Sequence, residues 1–234
     1  MSPTLSDRIT LIRYDDPDEW IDAAAAEIGD ALRADIELRG NARLLLSGGT
    51  TPAPVYQALA ELPLDWTKLE VGLVDERWLS PQDSDSNAYL VRQSFLERAE
   101  GARFEPLVRV GKPLQDCVHA ANLHAQHAPA ACMAVLGMGG DGHTASFFPD
   151  ADNLPALLDP ASQRIVLPVH APSGGEPRLT LSMARIIAAG FIALHIEGED
   201  KLTAFENAMG PGKHKPIRAV IDASPKPVEV FWAP

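Results

Sequence analysis

RLLLSGGTTPAPVYQALAEL, residues 43–62, runs from an apolar stretch through two glycines into a helical pattern. Arg43 to Leu46 reads as a short strand. Pro52 to Leu62 reads as a helix, with Thr50 or Thr51 as its cap and Pro52 near its first turn. A buried strand feeding a helix through a tight glycine turn is the building unit of an α/β sheet. The alternation continues on both sides. Asp16 to Arg39 places Trp20, Ile21, Ala24, Ile28, Ala31, Leu32 and Ile36 on one helical stripe, which Gly40 and Asn41 stop. Leu69 to Asp75 is a second strand, followed by a helix from Ser86 to Ala99 that Ser84 or Ser86 can cap. Phe104 to Val108 reads as a third strand, Pro113 to His127 as a helix and Cys132 to Leu136 as a fourth strand. Further on, Arg164 to Leu167 and Leu179 to Leu181 are strand-like and Ser182 to Ala189 is helical. Phe191 to Ile196 is a strand and Asp200 to Met209 a helix. Pro216 to Ile221 is a short helix at most, and Val228 to Trp232 is a closing strand. This order predicts an α/β fold with a mostly parallel sheet flanked by helices. The stretches Asp150–Pro160 and Ala171–Pro177 read as long active-site loops. Neither is long enough to act as a domain boundary, so residues 1–234 are expected to form one domain.

Composition bounds what such a sheet can serve. The chain has 234 residues, 46% of them hydrophobic and 22% charged, enough for a core without staples. Its formal net charge of −12 opposes nucleic acid or an anionic membrane as partner. A small anionic ligand then needs a local nest of donors. The two cysteines, Cys117 and Cys132, form no metal-binding spacing and read as buried thiols in a reducing compartment. There is no signal-peptide pattern and no apolar run long enough to span a bilayer, so a cytoplasmic protein is expected.

In open α/β sheets ligands collect beyond the carboxyl ends of strands, so the residues just after each strand carry the functional reading. After the first comes SGGTTP. Gly48 and Gly49 let the backbone approach a ligand, the following helix offers unpaired N–H groups, and Ser47, Thr50 and Thr51 add hydroxyls. This is a candidate phosphate cradle; it is also what a Thr-capped turn looks like. It lacks the lysine of a nucleotide-binding P-loop. After the second comes VDERW, where alternation puts Asp75 and Arg77 on one face and an arginine neighbour favours the charged carboxylate. A surface ion pair is the plainer reading. After the fourth comes GMGGDGHTASFFP. Its glycines permit positive φ and close approach. Imidazole has the one ordinary pKa, near 6.5, suited to proton transfer at neutral pH, so His143 is the candidate base and Asp141 its orienting partner. Thr144 to Phe148 reads as a turn of helix. Late in the chain, Arg178 and Lys201 begin elements that can converge on the cradle, although each alone reads as a surface charge. His119, His124 and His127 lie on one helix, where only 124 and 127 can share a face, and with no carboxylate or thiolate expected nearby they make no metal-binding set.

SGGTTP, VDERW with Ser86–Asn87 downstream, GMGGDGHTASFFP, PRLTLS and the closing VEVFWAP occur in this order over residues 44–234. Together they resemble 6-phosphogluconolactonases of the glucosamine-6-phosphate isomerase/6-phosphogluconolactonase family. The resemblance implies a Rossmann-like sheet and hydrolysis of 6-phospho-D-glucono-1,5-lactone in the oxidative pentose phosphate pathway. It implies no metal and no cofactor, with a sugar-phosphate lactone as partner; a monomer and a homodimer both fit the sequence. It makes His143 the general base, with Asp141 holding it and Arg77 stabilising the oxyanion or closing over substrate. Ser47, Gly48, Gly49 and Thr50 hold the phosphate, and Arg178 and Lys201 add charge. Asp75 and Asn87 organise the site or touch sugar hydroxyls.

Two alternatives share this motif set. Amino-sugar phosphate deaminases resemble the same pattern but carry a glutamate five residues after the histidine, where this chain has Phe148. A sugar-phosphate sensor usually adds a DNA-binding module. The 40 residues before the first motif strand read instead as one amphipathic helix with a lead-in, and the acidic charge opposes DNA.

Overall fold

The computed structural model describes residues 4–211 and 215–234. In chain order its elements are β1 (Ile9–Arg13), α1 (Pro17–Arg39), β2 (Ala42–Leu46), α2 (Ala53–Ala60), β3 (Leu69–Leu73), β4 (Asp75–Arg77) and α3 (Asn87–Val91). Then follow β5 (Arg103–Phe104), α4 (Leu114–His127), β6 (Met133–Leu136), α5 (Leu154–Leu157), β7 (Val166–Val169) and β8 (Arg178–Leu181). The chain ends with α6 (Met183–Ile187), β9 (Phe191–Glu197), α7 (Glu199–Met209), α8 (Pro216–Ala223) and β10 (Val228–Ala233). Seven strands form one sheet in the order β1-β10-β9-β6-β2-β3-β5, every pair parallel. A separate sheet, β4-β8-β7, is antiparallel.

The strand order reverses direction at β2. From there the chain steps outward through β3 and β5, then returns to β6 on the other side and proceeds through β9 and β10. The loops leaving β2 and β6 therefore diverge at their carboxyl ends, which opens the crevice where ligands bind in such sheets. Both strands are fully buried, as expected for a parallel sheet covered on both faces. Helix α1 covers one face. Asp16 caps it by accepting the Asp18 amide at 2.9 Å, and Gly40 ends it in the left-handed conformation at φ 81°. Trp20, Ala24, Ile28 and Leu32 of the expected stripe are buried, while Ile21, Ala31 and Ile36 are partly so.

Several expectations are corrected. Ile9–Arg13, read as a lead-in, is an edge strand paired with β10. The strand expected from Leu69 to Asp75 breaks at Val74: β3 stays in the main sheet and β4 crosses to the small one. Phe104 to Val108 is reduced to the two-residue β5, and the Ser86–Ala99 helix is short, passing into a π turn at Arg92–Leu96. Ser86, not Ser84, caps it. No threonine side chain caps α2; Pro52 occupies that position, leaving the loop hydroxyls uncommitted to the helix. Thr144 to Phe148 forms turns rather than helix. His124 does meet carboxylates, Glu70 at 3.3 Å and Glu105 at 3.6 Å, in a cluster with Arg43.

One buried group makes stability depend on pH. His195 on β9 is 2% exposed, wedged edge-on between Trp20 and Phe231, with neither ring nitrogen hydrogen-bonded among the described residues. Burial pulls its pKa down to about 4. The unfolded chain, with histidine near 6.5, therefore binds the extra proton first as pH falls. The stability His195 contributes is complete above about pH 6.5 and is lost progressively down to about 4, on the order of 3 kcal/mol in all. His195→Leu is expected to flatten the pH dependence of Tm over that window. An unchanged slope would contradict this assignment.

Candidate active site

The crevice between the β2 and β6 loops is a cleft of about 320 Å3. Ser47, Gly48, Gly49, Thr50, Asp75, Arg77, Asn87, His143, Arg178 and Lys201 all line it, so residues spread over most of the chain meet at one place. Asp141 lies behind His143 and faces a neighbouring cavity with Lys215 and Asp200.

The β2 loop is set from below by Tyr56 of α2. Its buried hydroxyl donates to the Ser47 carbonyl at 2.9 Å and accepts the Ser47 amide at 3.2 Å. The residues that follow line the cleft, and Gly49 turns the chain there at φ 98°. Gly48 is needed for a different reason. A Cβ there would collide with Oδ1 of Asn87, which packs directly over the loop.

The small antiparallel sheet supplies the charges. Asp75 pairs in register with Thr180 and Arg77 with Arg178, so two guanidinium groups share one end of that sheet. Like charges directly opposite repel unless something negative lies between them. Asp75 partly answers: Nη1 of Arg178 lies 3.5 Å from its Oδ2, and Ser146 Oγ donates to the same oxygen at 2.5 Å. The partner of Asp75 is thus Arg178, 103 residues away, rather than the expected Arg77. Arg77 instead donates to the Asp85 carbonyl at 2.7 Å and to Asn87 Oδ1 at 3.0 Å. Burial pulls the Arg178 guanidinium down from its ordinary value while Asp75 pushes it back, and it remains charged. Lys201, in the first turn of α7, reaches across the opening to the Met138 carbonyl at 2.8 Å. Three cations therefore converge in a protein of net charge −12.

The β6 loop carries the titratable pair. Asp141 Oδ1 accepts the His143 amide at 3.1 Å and contacts His143 Nδ1 at 2.6 Å. Burial opposes ionisation of Asp141, but those bonds and the imidazole's charge hold its carboxyl below the usual value. An ionised carboxylate accepts only, so Nδ1 is the nitrogen that donates to Asp141. Phe148, 3% exposed, packs against the imidazole with centroids 4.4 Å apart and the rings tilted by 37°. The Arg178 guanidinium lies over the same ring at 5.0 Å, and the 171–177 loop backs it at Gly174. In the sequence Phe148 stands out as a missing carboxylate but not as this contact. Tyr56, Ser146 and Glu76 do not stand out at all: each acts on a residue far away or across strands, and local pattern does not show that.

An aspartate–histidine pair beside a nest of cations, at the switch point of a parallel sheet, is an arrangement suited to holding a small anionic molecule next to a proton-transfer group. Comparison with known proteins agrees. Residues 15–232 match the model of glucosamine-6-phosphate isomerases/6-phosphogluconolactonase. A 6-phosphogluconolactonase from Mesorhizobium japonicum is 56% identical over 91% of this chain and 90% of its own. One from Xylella fastidiosa is 46% identical over 99% of both. The crystal structure of a 6-phosphogluconolactonase from Shewanella baltica superposes with a TM-score of 0.91 at 32% identity, covering 97% of this chain and 98% of that one. A monomeric glucosamine-6-phosphate deaminase, at 18% identity and a TM-score of 0.79, shares the fold. The chain belongs to the glucosamine-6-phosphate isomerase/6-phosphogluconolactonase family and is an enzyme of it.

Proposed function

We propose that this protein hydrolyses 6-phospho-D-glucono-1,5-lactone to 6-phospho-D-gluconate, as a cytoplasmic step of the oxidative pentose phosphate pathway, with His143 as general base. The observation that carries this reading is the Asp141–His143 pair at the edge of the cationic cleft. The phosphate binds the amides and hydroxyls of Ser47–Thr50 together with Arg178 and Lys201. His143 Nε2 takes a proton from a water as its oxygen attacks the lactone carbonyl carbon. Negative charge moves onto the carbonyl oxygen, where Arg77 stabilises it. As the intermediate collapses, the bond from that carbon to the ring oxygen breaks, and protonated His143 returns its proton to the departing oxygen. Asp141 stays ionised throughout and stabilises the imidazolium. Asp75 and Asn87 hold the cleft wall and meet the sugar hydroxyls.

Phe148 separates this reading from deamination. The ring against His143 offers no carboxylate with which to tune the imidazole for ring opening. Purified protein is expected to accelerate loss of freshly made 6-phosphogluconolactone without added metal, and to release no ammonia from glucosamine-6-phosphate. Ammonia release with no effect on the lactone would reverse the assignment. The phosphate clamp has its own test. Replacing Lys201 with methionine removes one charge-assisted hydrogen bond, so KM for the phosphorylated lactone is expected to rise roughly 10–100-fold. KM for the unphosphorylated lactone should barely move. An equal change for both substrates would refute a phosphate role.

A further inference from the structure

Glu76 is the middle of the three consecutive charges on β4. Asp75 and Arg77 line the cleft, whereas Glu76 points the other way and is 1% exposed. Its carboxylate is fully engaged. Oε1 accepts the amides of Arg77 and Asn87, both at 2.8 Å, and Oε2 accepts the Ala88 amide at 2.8 Å and the Ser86 hydroxyl at 2.9 Å. Burial pushes the carboxyl up from its ordinary value, and the bonds from Asn87, Ala88 and Ser86 pull it back. A buried carboxylate is costly, and this one has no basic group among those hydrogen-bond partners. Ser86 caps α3 through the Tyr89 amide and Glu76 takes the two amides before it, so the carboxylate completes that cap while also gripping Arg77.

What the carboxylate adds is a fixed relation between two residues of the cleft. It grips the backbone of Arg77 on β4 and of Asn87 at the start of α3. Their side chains then meet at 3.0 Å, and the Asn87 amide nitrogen donates to the Asp75 carbonyl at 2.9 Å. We propose that Glu76 is a positioning residue that holds Arg77 and Asn87 in register over the substrate. This rests on the reading that those two side chains face substrate.

Glu76→Gln keeps the shape but turns an NH2 group toward at least one backbone amide donor, so at least one accepting bond is lost. With far-ultraviolet circular dichroism unchanged, kcat/KM for 6-phosphogluconolactone is expected to fall roughly 10–100-fold. The deciding readout is the same substitution in an Arg77→Ala/Asn87→Ala background. If Glu76 acts through those side chains, the further loss there is less than about threefold, by the logic of a double-mutant cycle. The full loss repeated in that background overturns the proposal and leaves the site reading intact. An Arg77→Ala/Asn87→Ala protein as active as wild type overturns the site reading, and the proposal with it. If Glu76→Gln fails to fold, Ser86→Ala removes the hydroxyl bond to Oε2 together with the Tyr89 cap, and a thermal melt separates the cap's share of the effect. A severalfold loss that vanishes in the double background supports the proposal, and a loss that persists contradicts it.

Discussion

His143→Ala is expected to lower kcat for lactone hydrolysis by roughly 10²–10⁴-fold, the usual contribution of a positioned general base. The size of the effect follows from the absence of a substitute at that point. Asp141 is acceptor-only when ionised, and hydrogen bonds hold it in that state. Phe148 on the other side of the imidazole brings no proton-transfer group. The fold should tolerate the change. The His143 side chain is 29% exposed and bonds to Asp141 two residues away, not to a distant element. Steady-state kinetics and a thermal melt on the same preparation check both halves. Full turnover in the variant would remove His143 from its assigned role.

Gly139→Ala is expected to cost roughly 10²-fold in kcat without altering either titratable residue, because about 1 Å of misplacement at a reacting group can cost that much. An added Cβ would collide with Nδ1 and Cε1 of His143 and stand 2.7 Å from Oδ1 of Asp141. These are far ends of side chains, so the imidazole yields and the backbone does not. Gly139 does not occupy the left-handed region, so alanine there brings no backbone strain. The expected signature is a kcat loss approaching that of His143→Ala with a nearly unchanged Tm. A variant with wild-type kcat would mean that the imidazole position matters little.

The main sheet is legible because parallel buried strands announce themselves as short apolar runs ending in glycine. SGGTTP after β2 and GMGGDGH after β6 are such endings, and both lie on the cleft. Edge strand β1 is not legible. Ile9–Arg13 is only half-buried and has no clear alternation, and its partner lies at the other end of the chain. The break at Val74 is hidden for a related reason. VGLVDER is continuous in sequence, and only pairing with Arg178–Leu181 shows that its last residues belong to another sheet. That same pairing gives Asp75 its true partner and sets Arg178 beside the cleft. Glu76 is invisible because its flanking charges look equivalent to it; alternation favours Asp75 and Arg77, but the four donors it serves come from α3, its cap Ser86 and Glu76's own neighbour. Phe148 can be read as an absence, while its contact with His143 shows only in the folded chain, across a turn in which Ala145 takes φ 47°. The roles of the cleft residues come through the family resemblance, and geometry then brings them to one place.

The most direct test is the initial rate of hydrolysis of freshly generated 6-phospho-D-glucono-1,5-lactone, followed against its spontaneous background with wild-type and His143→Ala protein side by side. Rapid turnover by the wild type and a rate near background for the folded variant is the predicted result. A wild-type rate indistinguishable from background, or equal rates for the two proteins, would contradict the account.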